Sequence, residues 1–131
     1  MIDPAPWVGL PFVAGGRDRN GCDCWGLFRL AWLEGRGVRL PSYTLEYDPL
    51  EGAEIEQLLR GESGSWRRVE RPEPWDLVLL RKAGFACHVG LVLGSDHFLH
   101  VDSGQLSRVE RWSGPRWKRR IEGFYRREVM A

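Results

Sequence analysis

Apolar positions along this chain change their period roughly halfway through it. In the run CWGLFRLAWLE, between Asp23 and Glu34, Leu27, Leu30 and Ala31 recur on one helical face, and Trp25, Phe28 and Trp32 widen the stripe. A helix apolar around most of its circumference belongs in a core. Gly35 and Gly37 supply its stop. A second helix is predicted from Asp48 to about Arg60. There Asp48-Pro49-Leu50-Glu51 offers a cap, a proline at the first helical position and a capping acid, and Gly61 ends the run. Ile55, Leu58 and Leu59 would form its buried side, with Glu54, Glu56 and Gln57 outward. From Trp75 the period becomes that of strands. WDLVLLR, CHVGLVLG, HFLHVD and IEGFYRR are β-type runs divided by Gly84, by Gly94-Ser95-Asp96 and by a loop around Gly114-Pro115.

These elements predict an α+β fold, with N-terminal helices packed on a mostly antiparallel β-sheet. All 131 residues are read as a single domain. Residues 1–22, rich in Gly, Pro and Asp, read as a wrapping loop, residues 23–61 as the helical part and residues 75–127 as the sheet. The stretch GESGSWRRVERPEP between them reads as a polar connection. With 43% hydrophobic and 28% charged residues the chain can bury a core, which excludes a disordered tail. A net charge of +1 argues against a general nucleic-acid binder. The first sixteen residues lack the basic start and apolar run of a signal peptide, and no run approaches the roughly 18 apolar residues of a membrane span. The expectation is a chain made in the cytoplasm, without membrane insertion.

The sharpest chemical feature is Cys24, at the start of the buried helix. A thiol in a first helical turn meets the positive end of the macrodipole and unpaired N–H groups, which favour the thiolate; an adjacent imidazolium adds to this. The same N–H groups can hold an oxyanion. The base must come from elsewhere, and His88 heads the strand HVGLVL. If the strands on either side of Gly94-Ser95-Asp96 pair in even register, His88, His100 and Asp102 share one face and His97 takes the other. Cys24 is then the nucleophile and His88 the general base and acid. His100 or Asp102 orients His88, an alternative that spacing leaves open.

The order Asp-Cys-x-Gly-Leu, a strand beginning His-Val-Gly and a second His twelve positions on resemble the NlpC-type cell-wall cysteine peptidases. Pro74-Trp75-Asp76 is similar to the Pro-Gly-Asp strand that precedes the family's catalytic His. Leu40-Pro41-x-Tyr43 and Cys22-Asp23-Cys24 most resemble the branch found in phages and phage-derived gene transfer agents. The resemblance runs from about Trp7 to Arg126. It implies a papain-like fold and hydrolysis of peptidoglycan stem peptides, usually between D-γ-glutamate and a diamino acid. It also implies substrate contacts at Phe12, Asp23 and Trp25. Phe12 stands where the family has an aromatic hydroxyl, and Trp25 where a small Ser is usual. The branch implies carriage in a phage-like tail beside tail-tip or baseplate proteins, action in the periplasm or cell wall, and opening of the wall for DNA entry. The alternatives are a vestigial structural domain of a tail tip, or an amidase acting on another amide.

Cys22 and Cys87 read as small buried hydrophobes. Cys22, Cys24, Cys87 and His88 could together be considered as zinc ligands, but Cys-x-Cys is not the usual knuckle spacing, and adjacent strand residues aim apart. The expectation is therefore no metal and no organic cofactor. The basic stretch from Arg111 to Arg120 reads as a solvated loop or strand edge, or as a surface attracted to anionic wall or to a partner.

Overall fold

The structure, a computed structural model, describes residues 1–42 and 66–128. A 3₁₀ turn (Ala5–Trp7) and a short hairpin, β1 (Arg17–Asp18) and β2 (Gly21–Cys22), precede helix α1 (Cys24–Arg36). Six strands follow: β3 (Trp66–Val69), β4 (Leu77–Lys82), β5 (Phe85–Gly94), β6 (His97–His100), β7 (Arg108–Arg111) and β8 (Ile121–Arg127). The expected helix from Asp48 to Arg60 lies outside the described residues, as does Tyr43.

Helix α1 begins and ends where its punctuation dictates. Asp23 is the N-cap and accepts from Gly26 N at 2.8 Å. Gly37, at φ 68°, takes the left-handed conformation that closes the helix, donating to Leu33 O at 3.0 Å while Val38 N donates to Trp32 O. Trp25, Leu27, Phe28, Leu30, Ala31 and Trp32 are all buried.

The six strands β3 to β8 form one antiparallel sheet in the order β3-β8-β4-β5-β6-β7. Both faces are covered. Leu77, Leu79, Val89, Leu91 and Leu99 share the main core with α1, while Val78, Leu80, Val92 and Phe98 form a second cluster around Trp117. Alternating side chains point to opposite faces of a strand, so double burial explains why LVLL and GLVL read as continuous apolar runs.

Two strands depart from the sequence expectation. Trp66–Val69, read as polar connection, is the edge strand β3, and Arg108–Arg111 is the opposite edge, β7. Each is only four residues long and carries two or three arginine or glutamate side chains, which is how edges are protected from further pairing, and so neither carries enough pattern to read as a strand. Residues 1–22, read as a wrapping loop, contain the 3₁₀ turn and the β1–β2 hairpin and bond to the sheet side of the molecule. Ile2 N donates to Leu93 O at 2.8 Å, Gly9 N to Ser107 O at 2.9 Å, and Ser107 N to Leu10 O at 2.8 Å. Ser107 Oγ also donates to Trp7 O at 2.5 Å. These bonds carry Phe12 toward the start of α1, where it bridges to Cys22.

Trp75 stands at φ 79°, in the region that favours glycine. Its ring compensates by packing edge-on against Trp7 and Trp32, at 6.2 and 6.0 Å between centroids.

Candidate active site

The first turn of α1 is held in place by one carboxylate. Besides capping Gly26, Asp23 Oδ1 accepts from Arg17 Nη1 at 2.7 Å, and Oδ2 accepts from Gly15 N at 3.1 Å. Arg17 in turn donates to Ser42 O and Gly16 O. Asp23 is 1% exposed, and its bonds tie the hairpin to the helix start. This places Cys24 at the helix start, 7% exposed, on the wall of a cavity of about 350 Å³.

His88 lines the same cavity from β5, together with Cys87, Lys82 and Asp102, and Phe12 and Asp23 line it from the N-terminal half. A bulge shapes this wall. Leu80 pairs with His88 but Arg81 pairs with Ala86, so Cys87 is the extra residue. The bulge breaks strict alternation beside the site, and both Cys87 and His88 border the cavity. Cys24 Sγ lies 3.9 Å from Cys87 O.

The β5–β6 pairing has the even register the spacing predicts, with Leu91 opposite Leu99. His88 Nε2 therefore meets His100 Nδ1, at 2.8 Å. Asp102, the other candidate to orient His88, is engaged by Lys82 Nζ and, at 3.0 Å, by Arg116 Nη2. His100 is fully buried, and its Nε2 is hydrogen-bonded to Glu110 on β7. Trp117 stacks on His88, at 5.5 Å and 7° between planes, and stands edge-on to His100 at 5.4 Å.

This enclosure sets the charges. Burial, followed by the neighbouring His100, pushes His88 well below the usual imidazole range, against the opposing pull of Asp102. Burial likewise lowers His100 to about 4, although Glu110 works in the other direction. Both rings are thus neutral at neutral pH. Asp102 shows the opposite balance. Burial raises it, but the hydrogen bond and charge of Lys82 outweigh this and hold it at about 2. Burial raises Cys22 to about 11, in keeping with a small buried hydrophobe, and also raises Cys87, which is only partly buried on the cavity wall.

Of the residues expected to touch substrate, Phe12 and Asp23 line the cavity and Trp25 does not. Trp25 packs into the core, stacked on Phe28 at 5.5 Å and donating from Nε1 to Pro41 O at 2.9 Å. One step along the helix from Cys24 turns the side chain about 100° away from the cavity. Lys82, Glu110, Arg116 and Trp117 escaped the sequence reading. The available clue was RVER: Phe98 pairs with Glu110 and His100 with Arg108, which puts Glu110 on the histidine face of the sheet. Among the described residues, no three His, Cys, Asp or Glu side chains gather as metal ligands.

A thiol at a helix start opposite a hydrogen-bonded pair of sheet-borne imidazoles is the layout of a papain-like α+β domain. The chain belongs to the NlpC/P60 family, whose profile matches residues 9–126. It is 28% identical over 120 residues to the murein DD-endopeptidase MepS/murein LD-carboxypeptidase of Escherichia coli K12, covering 92% of this chain and 57% of that protein. It is 30% identical over 115 residues to a probable endopeptidase NlpC homolog of Haemophilus influenzae, covering 86% and 53%. The chain thus spans about half the length of the curated relatives it matches. Its fold is similar to the NlpC/p60 domain of the peptidoglycan hydrolase SagA, with a TM-score of 0.63 at 22% identity over 95% of this chain and 92% of that one. It is also similar to the P60 domain of the M. avium subspecies paratuberculosis antigen MAP1204, with a TM-score of 0.61 at 21% identity over 97% and 90%.

Proposed function

We propose that the protein is a cysteine peptidase that cleaves peptidoglycan stem peptides. The carrying observation is that Cys24 and His88 face one cavity while the far nitrogen of His88 is hydrogen-bonded to His100. That bond leaves Nδ1 as the nitrogen available to Cys24. In the proposed reaction Cys24 Sγ attacks the amide carbonyl and its proton passes to His88 Nδ1. The Cys24 backbone N–H, in the first helical turn, helps hold the resulting oxyanion. The imidazolium then protonates the leaving amine, the C–N bond breaks and a thioester remains. Water adds to the thioester, giving its proton to His88; the carboxylic acid departs and the thiol is restored. His100 orients His88 throughout. Phe12 and Asp23 border the substrate, with Lys82 and Asp102 completing the polar wall.

Family membership and relatives named as murein endopeptidases support peptidoglycan as the substrate. The bond we favour joins D-γ-glutamate to a diamino acid. The Cys22-Asp23-Cys24 and Leu40-Pro41 sequences support carriage in a phage-like or gene-transfer tail, acting on the wall during DNA entry.

Purified protein incubated with defined wall fragments, with products read by mass spectrometry, tests the reaction. Wild type is expected to release peptides; Cys24→Ala is expected to release none, His88→Ala to lose at least about 10²-fold, the scale of a general acid–base residue, and a chelator to change nothing. Wild type and Cys24→Ala equally inert on every fragment would overturn the proposal in favour of a structural domain. Cleavage only of a non-γ-glutamyl amide would retain the chemistry and replace the bond.

A further inference from the structure

We propose that Glu110 is a positioning residue that fixes which ring nitrogens of His100 and His88 carry protons, and thereby makes His88 a base toward Cys24. The inference rests on the cysteine-peptidase reading for its effect on rate, but the proton arrangement itself does not depend on that reading.

A neutral imidazole has one N–H donor and one acceptor nitrogen, so two linked imidazoles have two self-consistent arrangements. In the first, His100 Nε2–H donates outward, His100 Nδ1 accepts from His88 Nε2–H, and His88 Nδ1 keeps its lone pair for the Cys24 proton. In the second, every proton is reversed, and His88 presents Nδ1–H to Cys24 and cannot act as a base. The group beyond His100 decides between them. Glu110 occupies that place, hydrogen-bonded to His100 Nε2, and an ionised carboxylate can only accept. Only the first arrangement satisfies it.

The charges around the pair keep Glu110 ionised. Arg108 Nη2 lies 3.1 Å from its Oε2, and Arg116 Nη1 lies 3.2 Å from Oε2 and 3.4 Å from Oε1. Burial opposes the charge, but His100 and Arg108 outweigh it and hold the carboxyl below its usual range. The other groups facing the two imidazoles are Asp102, paired with Lys82 and Arg116, and the rings of Phe98 and Trp117. None of these supplies a second acceptor to His100 Nε2. Arg116 is also placed over the Trp117 ring, at 4.7 Å, so the basic stretch noted in the sequence closes over the imidazoles and braces the carboxylate behind them.

Imidazole ¹⁵N spectra of the full chain and wall-fragment kinetics together test this, using Glu110→Ala and Glu110→Gln. Wild type is expected to show His88 protonated at Nε2. Glu110→Ala is expected to mix the two forms and to lower kcat at least about tenfold, with the ~10⁴-fold scale of a fully misplaced tautomer as the ceiling. KM should stay within about twofold, because Glu110 does not line the cavity. Glu110→Gln, whose carbonyl can still accept, should recover part of the rate. In both variants the acid limb of kcat/KM should move to lower pH, because the imidazoles lose a nearby negative charge. If Glu110→Ala fails to fold, the Gln variant's ¹⁵N shifts and acid limb carry the test alone. Wild-type His88 protonated at Nδ1, or His88 signals and acid limb unchanged in the folded variants, would overturn the proposal. A wild type inert on all fragments would sink the peptidase reading, while the ¹⁵N spectra would still decide the role of Glu110.

Discussion

His88 stays neutral because of where it sits, and that position has a kinetic consequence. Burial, His100, Lys82 and Arg116 all disfavour its charged form, and only Asp102 favours it. A base that is free of its proton well below pH 6.5 should keep kcat/KM on its plateau at that pH, with the acid limb below it. Asp102→Asn removes the one favourable charge and is expected to shift the limb further toward acid; a limb at or above pH 6.5 in wild type would contradict this account. Asp23 illustrates the same economy on the helix side, where one carboxylate caps α1 and pairs with Arg17. Asp23→Ala removes a cap and one of the acceptors of Arg17, so we expect a loss of about 1–2 kcal/mol in denaturant unfolding. Asp23→Asn keeps the cap acceptor and should lose less.

Between elements, the tightest fit is helix against hairpin. Alanine is normally a better helix residue than glycine by about 1 kcal/mol. At Gly26, however, a Cβ would lie 2.0 Å from Gly16 O, a backbone atom that cannot swing aside. Gly26→Ala is therefore expected to destabilise by about 1–3 kcal/mol, the cost of overpacking, despite its better propensity. It should also lower activity by displacing the start of α1; a stabilised variant in a thermal melt would refute the fit. The same scale shows what could be read from the sequence. Helix α1 and the strands β4, β5, β6 and β8 were legible because each buries enough side chains to impose a period, and the His88–His100 partnership followed from register. The edges β3 and β7 were not, since four residues with charged outer faces carry too little pattern. Glu110 was hidden for that reason. The bulge at Cys87, which adds one residue and leaves no compositional trace, breaks the alternation the sequence suggested beside the site. Trp25 was assigned by analogy to a neighbour of the thiol, whereas helical rotation turns it into the core.

Across the whole molecule, the two buried imidazoles make stability depend on pH. Their folded values lie below the ordinary 6.5, so the unfolded chain binds more protons on the acid side. The stabilisation they allow is present in full above pH 6.5 and is lost as pH falls toward about 4, the folded value of His100. At roughly 1.4 kcal/mol per pKa unit, His100 alone should remove on the order of 3 kcal/mol from the unfolding free energy across that window. A second decline belongs below the usual carboxylate value, as Asp102 is protonated toward pH 2. Urea titrations between pH 7 and 4 check the first decline, and a flat profile would contradict it. The indole of Trp117, lying parallel to His88, offers another way to observe this proton. Protonated imidazole quenches a stacked indole by accepting its excited electron. Emission lost on acidification in wild type but not in Trp117→Phe would give an optical titration of the imidazole pair, without substrate or label.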